Sequence, residues 1–535
     1  MKKSHILAAF LLVSIAFSPA SFAGQLQRFA TVPIKAEVTG LYITEQGDLF
    51  FNVQHPSGSI DPPFNRAMIG YVKDVDFRNL PVAFSNLPVA KSRREKSIVR
   101  VAIGAYGIIA RKGDFASQMK GGLGAIVATN GDVILKSNKP DFNAFIPASD
   151  DGRRGYIFTN WENKPGGMSR IRIVKDNDGR WTASDPTHVD FSSVRGTWHN
   201  CFGSVSPWGT PLTSEELYFD NTASWNNVSS WRPDGRLRLA RYLGKFPNPY
   251  DYGYIVEITD PAGAAKPVKH FAMGRFSHEN AVAMPDQKTV YLSDDGSNTV
   301  FFKFVADQAG DLSAGTLYAA KFKQRDESNA ADPATTSFDI SWIALASGSN
   351  SVVERWKQDY DGLTPDDHKS GTTSYISDQE ISSWARGKAK DDRVAFLESR
   401  KAARAKGATA EFNKMEGVMI NYAGAKTGRA PFMYIAMSDI SGGMADGKGS
   451  IRLKANKCGV VYRMKLQPDY DVNSMKPAVA GGPYKRFDWS NQCATDGIAN
   501  PDNLLVLNDG RVLIGEDTRR HENNVLWIWS PADHR

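Results

Sequence analysis

The stretch Pro501–Asp517, PDNLLVLNDGRVLIGED, decides how this chain is read: a short apolar strand, an Asn508-Asp509-Gly510 turn, and a second strand ending in two acids. The same plan recurs at His278–Asp295, HENAVAMPDQKTVYLSDD, with a turn one residue longer. In both, an acid followed by asparagine opens the first strand, Glu279-Asn280 and Asp502-Asn503. Two acids close the second strand, Asp294-Asp295 and Glu516-Asp517. Two copies this alike call for a search for more, because a missed repeat misjudges the whole fold.

The frame fits four further places. TGLYITEQGDLFFNVQ opens at Thr39, LGAIVATNGDVILKSN at Leu123, and EGVMINYAGAKTGRAPFMYIAMSD at Glu416. The sixth is NCFGSVSPWGTPLTSEE, with Cys201 where three of the others carry Glu279, Glu416 or Asp502, and Glu215-Glu216 closing the second strand. The openings at 39, 123, 201, 279, 416 and 502 keep a near-regular rhythm broken once, between 279 and 416. That long interval holds residues 349–409, charged and rich in helix formers, with Ile381, Trp384, Val394 and Leu397 at helix-like spacing. The expectation is an all-β chain: a six-bladed β-propeller over residues 24–535 as one domain, with a helical insertion at about 349–409. Two stacked β-sandwiches are the competing architecture for the same alternation.

In a propeller the innermost strands surround a channel, so equivalent positions converge. The repeat therefore predicts a ring of Thr39, Leu123, Cys201, Glu279, Glu416 and Asp502, with Glu216 beside it. Carboxylates that close together cannot all stay ionised without cations, which points to a polynuclear metal site. Carboxylates suit calcium, whereas a thiolate selects iron or zinc, so a mixed site is expected. The nine histidines form no ligand cluster in sequence. His278, beside Glu279, orients its loop at least as readily as it ligates, and His521 lies in a polar loop. No Gly-x-Ser-x-Gly elbow for a serine nucleophile is present.

The first residues read as an export signal over 1–23: Lys2 and Lys3, an apolar run from Ile6 to Phe17, and Ser21-Phe22-Ala23 before Gly24. No twin arginine precedes that run, so a Sec-type route to the periplasm or medium is expected. No later segment is apolar enough to span a membrane, and no stable anchor is expected. Losing Lys2 and Lys3 takes the formal net charge from +7 to +5, which gives no reason to expect nucleic acid as a partner. The basic run Lys91–Arg100 and the glycine-rich Ser441–Ser450 read as a solvated edge and a flexible hairpin. Of three cysteines, Cys458 and Cys493 are the easy disulfide pair, leaving Cys201 alone in an oxidising compartment.

Three segments in order, CFGSVSPWGTPLTSEE, MGRFSHENAV and NPDNLLVL, resemble the signature segments of the PhoX-type alkaline phosphatases. The resemblance runs from about Thr39 to the last hairpin. It implies an exported six-bladed propeller whose channel mouth holds two ferric ions and calcium ions around an oxo bridge and hydrolyses phosphate monoesters. It implies Cys201 as the iron-binding cysteine, and Glu216, Glu279, Glu416 and Asp502 as carboxylates of the cluster; Glu215, Asn503 and His278 are weaker candidates. The family's phosphate-contacting base, two places before the fourth of these, falls on Lys414. Here FNKMEG departs from the family's Asp-Arg-Pro-Glu, and a lysine offers a point charge where an arginine grips phosphate with two parallel bonds.

The implied partners are small phosphate esters, bound by an expected monomer. Two other classes share the fold: a calcium-dependent propeller lactonase or a phosphodiesterase, and a non-catalytic, calcium-stabilised propeller that binds a partner. The lactonase needs no thiolate; the binding module needs no intact ligand set.

Overall fold

The computed structural model describes residues 24–217, 221–230 and 235–532. The expected signal segment, 1–23, lies outside them. The chain is mostly β, with seven α-helices among the described residues.

Six antiparallel sets of strands, carried on three four-stranded sheets, one five-stranded sheet and one nine-stranded sheet, organise it. Their first strands are β1 (Glu37–Ile43), β2 (Pro140–Pro147), β3 (Asn200–Val205), β4 (His278–Ala283), β5 (Met415–Ile420) and β6 (Pro501–Val506). These pack in a cycle, each against the next and β6 against β1. Every residue of β4, β5 and β6 is buried, which the alternating pattern of a half-exposed strand would not allow. The sixth set takes its fourth strand from the chain's start. Gln25–Thr31 pairs antiparallel with Val525–Ser530, Gln25 opposite Ser530 and Thr31 opposite Val525.

Short turns set the register. Leu507 N donates to Arg511 O at 2.8 Å, with Gly510 at φ +81°, a conformation that suits glycine. Ser206 N to Thr210 O repeats that closure at 2.8 Å, and Met284 N to Thr289 O spans the longer turn. The asparagine after each acid ties neighbouring first strands together. Asn280 exchanges two hydrogen bonds with the backbone of Val418 on β5. Asn503 accepts from Gly40 N on β1 at 2.8 Å.

The Leu123 copy of the repeat is a correction. Ala125–Val127 and Val133–Lys136 form a separate two-stranded hairpin, and the second set begins instead at Pro140. Its apolar-turn-apolar pattern imitates a first hairpin, but the strands are too short to continue into a four-stranded sheet.

The fourth set ends on the long strand Asp311–Gln324, and the next strand, Phe338–Ser349, leads into helices α1 (Asn350–Gln358), α2 (Asp378–Ala385), α3 (Arg393–Leu397) and α4 (Ser399–Ala405). Ser349 caps α1, and Ser377 with Glu380 forms a capping box on α2. Ile381, Trp384, Val394 and Leu397 are all buried in one apolar cluster with the flanking strands. Cys458 and Cys493 form a disulfide, and Cys201 is free and buried.

Candidate metal centre

In five hairpins the strand register slips just after the pair that opens the first strand: Asn200 with Glu215, His278 with Asp294, Met415 with Met437, Pro501 with Glu516, and Pro140 with Trp161; in the first hairpin it slips two pairs further in, after Thr39 with Asn52. Such a bulge releases the next residue from the ladder and re-aims it. The released residues are Gly40, Asp141, Cys201, Glu279, Glu416 and Asp502. Register therefore puts Asp141 rather than Leu123 in the ring, and in the first hairpin it releases Gly40, which carries no ligand, rather than Thr39. Thr39 instead bonds Pro140 O at 2.6 Å, and Leu123 is buried in an outer apolar cluster.

The ring residues meet. The Cys201 thiol donates to Glu279 Oε2 at 3.2 Å and lies 3.6 Å from Asp141 Oδ2. Ligand atoms of Cys201, Glu216 and Glu279 lie within 4.8 Å of one another, as do those of Glu279, Asp295 and Glu416 and those of Glu162, His199 and Glu216. Burial, reinforced by the surrounding acids, pushes the carboxyls of Asp141, Glu279, Asp502 and Asp517 far above their ordinary range. The same causes lift Glu216 and Glu416 to about 7, against the pull of His199 and Lys414, and raise the Cys201 thiol.

Acid pairs at the ends of second strands divide the work. Glu215 accepts from Trp198 N, Gly253 N and Tyr254 N and pairs with Lys269 at 2.9 Å. Asp294 accepts from Ser277 N and Val300 N, and Glu516 from Ala499 N and Val525 N. These first acids brace the backbone around the bulge. The second acids, Glu216 and Asp295, join the ring clusters, and Asp517 feels Glu37, Glu416 and Glu162. Glu215 is thus a brace, and Asn503 a clasp between β6 and β1. His278 stacks on Phe276 and bonds Gly274 O at 2.9 Å; burial lowers it to about 3, so it stays neutral and is held away from the carboxylates.

Two places before the ring residue a base recurs: Lys139, His199 and Lys414. Lys139 pairs with Glu162 at 3.0 Å. His199 lies between Glu162 and Glu216, at 3.1 and 2.8 Å, and although burial opposes its charge, the two acids raise it. Lys414 pairs with Asp295 and, at 3.2 Å, with Glu416. Sequence reasoning found only Lys414. The identical spacing before Asp141 and Cys201 was the signal for the other two. It likewise missed Asp141, whose Pro140-Asp141-Phe142-Asn143 echoes Pro501-Asp502-Asn503, and Glu162 at the end of the second set's second strand.

A cavity of about 990 Å³ opens beside this cluster, lined by Glu37, His55, Lys139 and Asp517 and by Trp489 at its rim. Inside the cluster, Asp141 Oδ1 and Glu279 Oε1 are buried without a hydrogen-bond partner. A buried carboxylate oxygen left unpaired is costly, and cations coordinated by these oxygens and the thiolate would remove that cost. The donor set fits a mixed cluster of hard and softer metal ions.

Inward-bulged acids and one thiol, with three bases close by, form a candidate metal centre in a mostly β protein. The sequence profile of the family "Alkaline phosphatase PhoX" matches residues 178–530, more than half of the chain. The chain belongs to the PhoX alkaline phosphatase family. Among solved structures it is similar to Pseudomonas fluorescens PhoX in complex with vanadate, a transition state analogue: 18% identity, 96% of this chain and 88% of that chain, TM-score 0.54. A luciferin-regenerating enzyme aligns over 95% of each chain at 7% identity with a TM-score of only 0.36. A Xanthomonas citri GH43_1 enzyme complexed with xylotriose covers 58% of this chain and 84% of its own at 8% identity, TM-score 0.25. No curated protein matches the chain.

Proposed function

We propose that this protein is an exported, metal-dependent phosphatase that hydrolyses phosphate monoesters, built as a six-bladed β-propeller. The convergence of Asp141, Cys201, Glu216, Glu279, Asp295 and Glu416 on one buried volume carries this reading. The vanadate in the Pseudomonas fluorescens relative, a mimic of a phosphoryl group in transfer, supports it.

On this reading Cys201 would hold iron, and Glu216, Glu279, Glu416 and Asp502 would supply the other ligands of an iron and calcium cluster. Bound ions would supply Lewis-acid stabilisation of the phosphoryl oxygens and a nucleophile at neutral pH. The chain's own residues set up the rest. Ring carboxylates are held rigidly by the braced bulges, so little reorganisation is needed as charge develops. Lys414 contacts phosphate as a single positive charge; His199 holds its proton between Glu162 and Glu216, and Lys139 holds Glu162 from the far side. The wide cavity beside Asp517 and Lys139 admits a small phosphate ester. The disulfide fits export to an oxidising compartment, and a single chain supplies every residue of the centre, so a monomer suffices.

Metal analysis of the purified protein, together with an assay on p-nitrophenyl phosphate before and after chelation, tests this. Iron plus calcium and chelator-sensitive hydrolysis are expected. Bound metals without hydrolysis of any monoester would leave the fold and defeat the function.

A further inference from the structure

A second cavity, about 260 Å³, is lined by Leu217, next in chain to Glu216, by Ser277, two places before Glu279, and by Ser297, two places after Asp295. Its walls come from the stretch before β4 and from α4 of the insertion, and they carry Arg275, Arg400, Lys401 and Arg404 against one acid, Glu398. Glu398 already accepts from the Tyr250 hydroxyl at 3.1 Å. Arg400 holds Asp294 through Nε at 2.9 Å and reaches Asp295 O at 3.2 Å, tying the cavity wall to the ring segment.

Two donors in this wall lack acceptors. Arg275 is only 5% exposed; its Nε bonds Pro249 O and Tyr252 O, its Nη1 bonds Thr222 and Leu397 O, and its Nη2 is buried with no partner. Ser277 is fully buried and its Oγ is likewise unpartnered. A buried guanidinium N–H left unpaired is expensive, and an anion would satisfy it with a charge-assisted bond.

We propose that this cavity receives a second anionic group, a carboxylate or phosphate, carried on the leaving group of the ester. The proposal rests on the phosphatase reading and gives that site its substrate class: monoesters whose alcohol portion is itself negatively charged. The insertion is then a specificity element that brings Arg400, Lys401 and Arg404 to the substrate. Arg275 and Ser277 are the fixed, buried half of the anion site, and the helical cations are the half-buried and exposed half.

The test compares 3-phosphoglycerate with glycerol 3-phosphate, which share a three-carbon frame with and without a carboxylate. Metal-loaded wild type and Lys401→Gln/Arg404→Gln protein are assayed on both, and their affinities measured by calorimetry. The wild type is expected to favour 3-phosphoglycerate about tenfold in kcat/KM, and the double variant to lose that preference while hydrolysing glycerol 3-phosphate within about twofold of wild type. An unchanged ratio, or an equal loss on both esters, overturns the proposal. Sulfate binding to the vanadate-loaded protein separates the two sources of anion: sulfate binding that the variant loses, with ester selectivity unmoved, would make the occupant a free anion and also overturn it. If neither ester is hydrolysed, the phosphatase reading fails by itself; the calorimetric preference for 3-phosphoglycerate, present in wild type and lost in the variant, still decides the cavity.

Discussion

The thiol of Cys201 stands 3.2 Å from the carboxylate of Glu279, and the two residues hold the same bulged position in adjacent sets. A thiol takes an acid's place only where something prefers sulfur. Cys201→Ala is expected to strip the sulfur-preferring metal and cut phosphatase activity by at least about 100-fold, while circular dichroism stays that of the folded protein. Full activity in that variant, with metal content unchanged, would remove Cys201 from the centre.

Lys414 puts one positive charge between Asp295 and Glu416. Its loss should be felt in binding more than in folding, since the side chain is 37% exposed. Lys414→Gln is expected to raise KM about tenfold, and Lys414→Arg to lower it below wild type by offering two parallel bonds to phosphate. Steady-state kinetics check both, and a change in kcat alone would assign Lys414 another role.

Glu216 and Glu416 titrate near 7 in the metal-free chain, chiefly because burial disfavours their charge. Between their ordinary range and 7 the native state binds more protons than the unfolded chain, so stability falls as pH rises through that window. Chelated protein should therefore melt on the order of 5 °C lower at pH 8 than at pH 5. Metal-loaded protein should show the reverse order, because protons compete with cations for the same oxygens. Thermal melts at both pH values, with and without chelator, decide it.

Gly40 sits at the register slip of the first hairpin at φ +62°, where an added Cβ would stand 2.3 Å from Asn52 Nδ2 and 2.7 Å from Asp141 O. Gly40→Ala is expected to cost about 2–4 kcal/mol through a left-handed backbone and overlap in a packed site. Urea denaturation measures it; a cost below about 1 kcal/mol would mean that β1 shifts freely past β2.

The sets beginning at Cys201, Glu279, Glu416 and Asp502 were legible because an inward ligand, a short turn and a closing residue recur at fixed offsets. The second set was not. Leu123 sits in a hairpin with the right alternation but no sheet behind it, and hydrophobic pattern alone cannot tell a decorating hairpin from a structural one. The first hairpin was legible at Thr39, but the register slip that follows Thr39 was not, because a bulge is invisible in sequence. Glu215 and Glu216 look alike in sequence, and only the amides of Trp198, Gly253 and Tyr254 reveal that the first is a brace. Arg275 and Ser277 gave no signal, since an unpaired donor is a property of the packed state. The insertion's buried face, by contrast, followed directly from Ile381, Trp384, Val394 and Leu397.

The pairing of Gln25–Thr31 with Val525–Ser530 fixes when the centre can exist at all. A nascent chain holds the partners of β2 through β5 early, but the strand that seals the circle waits for the final thirty residues or so to emerge. Until then Asp502 and Asp517 are absent, and Asp141 and Cys201 lack the far side of their cavity. On the proposed metal reading, ions bridging the finished circle would act as a latch on it, so removing them should expose the seam between first and last strands to proteases before any other part of the molecule.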